Sequence, residues 1–354
     1  MTTSLPPSVA IVLVNWNNWR DCAECIDSLL GMDYSNFHVF LIDNDSADQS
    51  IEKLQAWCNT PTVSVGCKQL PGVRFHTDLP TTISIGVRLA DATLLPLPPP
   101  EPTQRISLIR SGGNLGFAGG CNVGIRSSLP DTYDYFWFLN TDTVVDRQAL
   151  RYLVERAQQD VAIGMVGSTV LYHDRPDVVQ AQAGAWLNPK TGESRHIGEG
   201  IAANIVTANA ILVEQQLAYI FGASMLVSHL LIKRIGLMQE DYFLYYEEMD
   251  WAMRSRDQFK FAYASQSLIY HKSGNSSSKT MPIFAVNLFY RNRVRFISRF
   301  FPQFMSATKR GLMQTMLRYL IKGQWRKASI IGEILFRADQ IAYDALQASR
   351  ATTP

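Results

Sequence analysis

Cysteine is scarce in this chain of 354 residues: Cys22, Cys25, Cys58, Cys67 and Cys121 are all it has. An odd number without a paired framework excludes a disulfide-stapled scaffold and fits a reducing compartment. Cys22 and Cys25 form a lone CxxC with no second pair. At helical spacing they share one face, where small buried hydrophobes are expected. Long apolar runs are missing too. The best candidate, LAYIFGASMLVSHLLI at 217–232, is short for a bilayer and carries Ser, His and Gly. No secretory signal stands out, because the first apolar run, VAIVLV, follows an uncharged, proline-containing start and leads into NWNN. A cytoplasmic protein is expected. The GxGxxG and GxxxxGK[ST] spacings are absent, which removes support for a dinucleotide fold or a P-loop. No internal repeat is found.

Net charge is also nearly absent, at +2, but the balance conceals an asymmetry. Residues 284–354 carry 12 Lys and Arg against 3 Asp and Glu, and the 283 residues before them carry 21 against 28. A basic tail on an acidic body suggests that the tail meets an anionic surface.

What the chain does have is an alternation of short apolar runs and helical segments. VAIVLV (9–14) and FHVFLI (37–42) each end in polar residues, NWN and DNDS, with a helix-like segment around 20–31 between them. Strand, helix, strand is the pattern of a parallel sheet, and in such sheets ligands bind beyond the carboxyl ends of the strands. LPLPPPEP at 95–102 marks an extended loop or insertion. ISLI (106–109) and YFWFL (135–139) read as further strands, and residues 147–159 as a helix. The segment 219–227 fits a strand or a buried helix, residues 259–271 a strand pair, and the chain from 284 onward is helical and basic.

Five features could carry chemistry. Asp43 ends the second strand, where a carboxylate can accept from a base N–H or a ribose hydroxyl, or cap a turn. SGGNLGFAGGCNVG (111–124) permits close backbone approach at a helix N-terminus, as a ligand loop or as a structural turn. Asn140-Thr141-Asp142 closes the YFWFL strand. One such Asp can hold Mg²⁺ when a diphosphate and water complete the shell, or it can simply end a strand. Glu247, Glu248 and Asp250 crowd three carboxylates into four positions within an aromatic frame. Burial and mutual repulsion would raise a pKa there, as a general base requires. His271 closes the last strand and matters if it meets Asp142 at one ion.

In this order the segments VAIVLVNWNN, LIDNDSADQS, GGNLGFAGGCNVGI, WFLNTDTVV, FGASMLV, YFLYYEEMDWAMR and YHKSGNSS resemble the family-2 inverting glycosyltransferases, and within them rhamnosyltransferase-like members. The resemblance covers most of residues 9–278. It implies a GT-A fold: α/β, Rossmann-like, with a mostly parallel sheet flanked by helices. Residues 1–283 would be the catalytic domain, with a proline-rich insertion at about 62–104. Residues 284–354 would be a C-terminal amphipathic helical extension.

The resemblance also implies roles. Asn15, Trp16 and Asp43 would hold the nucleotide of a sugar donor, dTDP- or UDP-linked. Asn114, Gly116 and Gly120 would line its pocket. Asn140 stands where the family's DXD motif has its first acid, so Asp142 with His271 would bind a divalent metal, Mg²⁺ or Mn²⁺. Glu248, where Asp is common, would be the catalytic base, with Glu247 beside it. The acceptor would be a glycan or a polyprenyl-diphosphate-linked hydroxyl in cell-surface polysaccharide synthesis. Two other readings stay open: a nucleotidyltransferase-like sugar-phosphate enzyme, and a non-catalytic glycan- or membrane-binding scaffold.

In the tail, Arg310, Arg318, Lys322 and Arg326 recur at multiples of four, beside an apolar face of Leu312, Met316, Leu317, Leu320 and Ile321. Such a helix can lie in an anionic membrane interface or pack on the catalytic domain. The first reading expects a peripheral protein on the inner face of the cytoplasmic membrane. The tail lacks base-stacking motifs, so no nucleic-acid partner is expected.

Overall fold

The computed structural model describes residues 6–59, 70–74, 88–89, 105–128, 132–206, 210–272 and 281–352. Cys67, most of the insertion expected at 62–104 and the serines of YHKSGNSS lie outside them.

The apolar runs become strands. β1 (Val9–Asn15), α1 (Trp19–Leu30) and β2 (Phe37–Asp43) form the first unit, followed by α2 (Ser50–Asn59), β3 (Arg88–Leu89), β4 (Ile106–Arg110) and α3 (Gly116–Ser127). β5 (Tyr135–Asn140), β6 (Thr143–Val145), α4 (Ala149–Ala157), β7 (Ile163–Tyr172) and β8 (Val179–Gln182) come next. β9 (Gly184–Asn188), β10 (Glu193–His196), α5 (Ala210–Glu214), β11 (Tyr219–Ile220), β12 (Ser224–Ser228), α6 (His229–Ile235), α7 (Glu247–Ser255) and β13 (Lys260–His271) complete the body. The tail is α8 (Ile283–Phe300), α9 (Met305–Ile321), α10 (Trp325–Phe336) and α11 (Ala338–Thr352).

Among the described residues the main sheet runs β3-β4-β2-β1-β5-β12-β7-β13-β6, with β8 on the side of β7. Neighbours from β3 to β5 are parallel, as are β7 and β13; β12 is antiparallel to β5 and β7, and β6 to β13. β10, β9 and β11 make a small antiparallel sheet. Both faces of the main sheet are covered, which is why its strands read as continuous apolar runs. Val9, Ile11 and Leu13 enter one core with α1, α2 and α4. Ala10 and Val12 point the other way, toward α3, α6 and Trp251 of α7. The YFWFL run splits likewise: Trp137 and Leu139 face one core, Phe136 and Phe138 the other. Cys22 and Cys25 are buried on α1.

Two expectations change, and one choice left open is decided. The strand pair expected at 259–271 is the single strand β13. A register shift between Ala264 and Leu268 absorbs the residues that suggested a turn, and pairing with β7 resumes beyond it. Residues 219–227 are two short strands, not a buried helix. The four basic residues from Arg310 to Arg326 do not share one helix. α9 ends at Ile321, Gly323 takes φ +67° as the chain turns, and Arg326 belongs to α10. The apolar face divides as well: Leu312 is fully buried in the core of the tail, whereas Leu317 and Ile321 are exposed. Among the described residues no helix is long and apolar enough to cross a membrane.

Candidate active site

The carboxyl ends of β1 and β2 meet in register, Asn15 beside Asp43. Asn15 Nδ2 donates to Asp43 Oδ1 and to Ser46 Oγ, both at 3.2 Å, and the Ser46 amide donates to Asp43 Oδ2 at 3.1 Å. Asp43 is therefore buried and builds the turn that follows its strand. The side-chain oxygen of Asn15 is buried without a partner. A group of that kind normally has one, so this acceptor is available to a donor N–H or hydroxyl. Trp16, one residue beyond, is half exposed.

Asn44 carries the edge across to the glycine-rich segment. Its Nδ2 donates to Gly116 O at 2.9 Å and to Asn114 Oδ1 at 3.2 Å, and its Oδ1 accepts from the Leu115 amide at 3.1 Å. Gly116 opens α3 at φ +71°, where a Cβ would overlap the Phe243 carbonyl. Both the conformation and the close approach require glycine. Gly120 faces elsewhere, against Val14 of β1, and lets α3 pack tightly on the sheet.

Asp142 and His271 come together. β6 and β13 pair antiparallel, His271 opposite Thr143, and the Lys272 amide donates to the Asp142 carbonyl at 2.9 Å. The result is an Asp142 Oδ1 to His271 Nε2 separation of 3.3 Å. His271 Nδ1 lies 2.8 Å from Gln180 Oε1 on β8. An amide oxygen only accepts, so Nδ1 donates its proton to Gln180, which orients the ring with Nε2 toward Asp142 and leaves that nitrogen as the one a metal would take. One oxygen and one nitrogen converge on a partly exposed point. Cis ligands of an octahedral ion with bonds of about 2.1 Å sit about 3 Å apart, so this donor pair fits such an ion. Among the described residues no group of three or more His, Cys, Asp or Glu could hold a metal. An ion here would need substrate oxygens and water for the rest of its shell. Asn140 has its main chain engaged in the strand end: its amide donates to Ala223 O at 3.2 Å, and its carbonyl accepts from Thr143 Oγ1 at 2.6 Å.

The three crowded carboxylates have different surroundings. Asp250 is fully compensated: Tyr242 Oη donates to it at 3.0 Å, Arg254 Nε at 2.7 Å and Arg299 from α8 at 3.2 Å. Glu247 and Glu248 have no such partners. Glu247 is buried, Glu248 keeps part of its surface open, and each has a buried Oε2 without a hydrogen bond. Burial raises the pKa of Glu247 well above the carboxylate range, with the Glu248 charge adding to it, and burial lifts Glu248 to about 7. The N-terminus of α7 favours the charged forms, but desolvation is the larger effect. Gly222, of the FGAS segment, lies against Glu248: a Cβ there would stand 3.7 Å from Oε1.

The loop before these acids is strained. Phe243, Tyr245 and Tyr246 have φ of 64°, 70° and 77°. For aromatic residues each costs on the order of 1–3 kcal/mol, and such strain clusters at functional sites.

Comparison with known proteins decides the family. The model described as glycosyl transferase family 2 matches residues 10–74 and 100–214. The chain belongs to glycosyl transferase family 2. The matched region contains Asn15, Asp43, the glycine-rich segment and Asp142, and stops before Glu248 and His271. The chain is 28% identical over 152 residues to the low-salt glycan biosynthesis hexosyltransferase Agl10 of Haloferax volcanii. That stretch is 43% of this chain and 46% of the relative, so the chain spans less than half the length of the relative it matches. Among solved structures it is similar to the mannosyltransferase PcManGT from Pyrobaculum calidifontis in complex with GDP-Man and Mn²⁺. The TM-score is 0.50 at 13% identity, over 99% of this chain and 77% of that one. Residues 1–349 of S. aureus TarS in complex with UDP match with a TM-score of 0.48 at 11% identity, covering 96% and 88%. The fold shared with the mannosyltransferase is the GT-A arrangement of a mostly parallel sheet flanked by helices.

Some residues of this site carry no signal that a reading of the sequence could use. Gln180, which orients His271, sits in an unremarkable QAQ strand. Arg299 and Arg254 look like surface charges of helices. Asn292 lies between Arg291 and Arg293 in the middle of α8, and with Asn287 it is one of two amides in that helix.

Proposed function

We propose that the protein transfers a sugar from a nucleoside diphosphate sugar to an acceptor hydroxyl, with inversion at the anomeric carbon and Glu248 as the base. The observation that carries this reading is the Glu247–Glu248 pair, each with a buried Oε2 that has no partner, at the start of α7 behind a strained loop in a chain of family 2. A carboxyl with a pKa of about 7 is close to the optimum for a general base near neutrality. Glu248 takes the proton of the acceptor hydroxyl. The oxygen bonds to the anomeric carbon from one face while the bond to the diphosphate breaks on the other. One displacement inverts the centre and needs no covalent enzyme intermediate.

Asn15, Trp16, Asp43 and Asn114 form the donor edge in this reading, and Asp142 with His271 holds a divalent cation, Mg²⁺ or Mn²⁺. When bound, the cation offsets the charge that develops on the leaving diphosphate. The relatives guide the choice of ligand: one is named for hexosyl transfer in glycan synthesis and another is in complex with GDP-Man and Mn²⁺. dTDP-rhamnose joins the panel for the resemblance to rhamnosyltransferases. A glycan or polyprenyl-diphosphate-linked hydroxyl is the proposed acceptor. The test is a panel of UDP-, GDP- and dTDP-sugars with Mn²⁺ or Mg²⁺. Metal-dependent release of nucleoside diphosphate is expected. Release of pyrophosphate would mean nucleotidyl transfer, and no turnover with any donor would favour the scaffold.

The tail supports docking on an anionic membrane surface. Ile321 is 86% and Trp325 68% exposed at the turn between α9 and α10. Leu317 continues the apolar row, and Arg318, Lys322 and Arg326 are exposed beside it. Apolar residues flanked by cations suit an anionic interface. Sedimentation with phosphatidylglycerol vesicles should fall for Ile321→Asp and Trp325→Ala in the full chain. Unchanged sedimentation would remove the membrane role.

A further inference from the structure

α8 belongs by position to the basic tail, yet its centre is spent on the catalytic loop. Asn292 is fully buried. Its Nδ2 lies 2.8 Å from Tyr242 O, 2.8 Å from Leu244 O and 3.1 Å from Tyr245 O. Its oxygen accepts from Arg295 at 3.2 Å, which fixes the orientation of the amide.

The carbonyls of the loop can be accounted for one by one. Phe243 O accepts from the Phe117 amide at 2.7 Å, and Tyr246 O accepts from the Asp250 amide at 2.8 Å as α7 begins. Tyr242 O also closes a tight turn by accepting from the Leu244 amide at 2.7 Å. Leu244 O and Tyr245 O have Asn292. With φ positive at Phe243, Tyr245 and Tyr246, the carbonyls of Leu244 and Tyr245 stay outside the strand and helix ladders, and a buried carbonyl left without a donor is costly. A primary amide is suited to this place because it puts two N–H groups on one short side chain. A carboxylate of the same shape would face three carbonyl oxygens with none.

We infer that Asn292 is a positioning residue: it holds the backbone of 242–246 in the conformation that aims the Glu247 and Glu248 carboxyls into the site without touching the reacting atoms. This rests on the reading of Glu248 as the base. The first tail helix is then part of the catalytic machinery, and the exposed turn beyond it is free to do something else. Deleting the tail from residue 284 would remove both at once, so point variants in the full chain are required.

Asn292→Asp and Asn292→Ala are compared with the unaltered protein by three measurements. Hydrogen exchange at the Leu244 and Asp250 amides should speed up at least ~10-fold while the β1 amides stay protected, the mark of local opening. Turnover with the panel sugar that supports it should fall about 100-fold in kcat, the scale of a misplaced catalytic group. Affinity for the matching nucleoside diphosphate with Mn²⁺, measured by calorimetry, should not change. Unchanged loop exchange in both variants would overturn the inference. So would an opened loop with unchanged kcat, or a fall in kcat matched by equal loss of diphosphate binding and of β1 protection. Glu248→Gln in the same assay separates the two ideas. Full turnover there would sink the base while the exchange data still judge the clamp.

Discussion

At the ends of β1 and β2, the side chains of Asn15, Asp43, Asn44 and Ser46 bond mainly to one another and to the glycine-rich segment. At the start of α7, Glu247 and Glu248 each keep a buried oxygen with no partner, on a loop bent through three positive φ values. The proposed donor edge is built from local contacts, with the Asn15 side-chain oxygen left over. The base loop is held from outside, by α3 on one side and α8 on the other. Native structures rarely leave buried carboxyl oxygens unpaired, and the cost is sustained here beside a third carboxylate, Asp250, that the same fold compensates fully. The contrast within one turn of helix argues that the deficit at Glu247 and Glu248 serves chemistry.

The largest expected effect breaks the loop side alone. Glu248→Gln should lower transfer by about 10²–10⁴-fold, the usual contribution of a general base, while nucleoside diphosphate binding stays intact. Asp250→Ala tests the compensated carboxylate. It leaves Arg254 and Arg299 without their shared partner, and loss of one side of a buried ion pair costs about 3–5 kcal/mol, read as a lower midpoint of chemical unfolding. Gln180→Ala probes the cation side. Freed from its orienting partner, His271 should bind Mn²⁺ less well through the site, by about 10–100-fold, with the unfolding midpoint little changed.

Much of the donor edge is legible in the sequence because its contacts are short in sequence or follow from strand register. Asn15 and Asp43 meet because two parallel strands end together, and Asn114 follows at the next βα turn. Asp142 and His271 are legible as candidates, but their meeting depends on β6 and β13 pairing over more than a hundred residues. The base loop is the least legible. YFLYYEEM reads as an aromatic approach to a helix, and nothing in it announces three positive φ values, since no glycine marks them. The partner that makes the conformation tenable, Asn292, lies nearly fifty residues away in a tail whose charge pattern points to a surface. That pattern also misled, because Gly323 divides what the spacing of basic residues presented as one helical face.

The smallest effect concerns stability and pH. A carboxyl whose pKa is raised on folding holds its proton in the folded state while the unfolded chain has lost it. Between the ordinary glutamate value and about 7 the folded state therefore binds more protons, and stability falls as pH rises through that window. Glu248→Gln and Glu247→Gln should each be more heat-resistant than the unaltered protein at pH 8 and nearly equal to it at pH 4.5. A donor-edge variant such as Asn15→Ala should show no such gain.

The pH dependence of kcat for the panel donor, taken between pH 5.5 and 8.5, tests the central claim most directly. The Glu247–Glu248 pair should titrate as a unit, giving a rate that rises with pH through a midpoint near 7, and Glu248→Gln should lose that rise with the activity. A flat profile in the unaltered protein, or the same rising limb at the same rate in Glu248→Gln, would contradict the account.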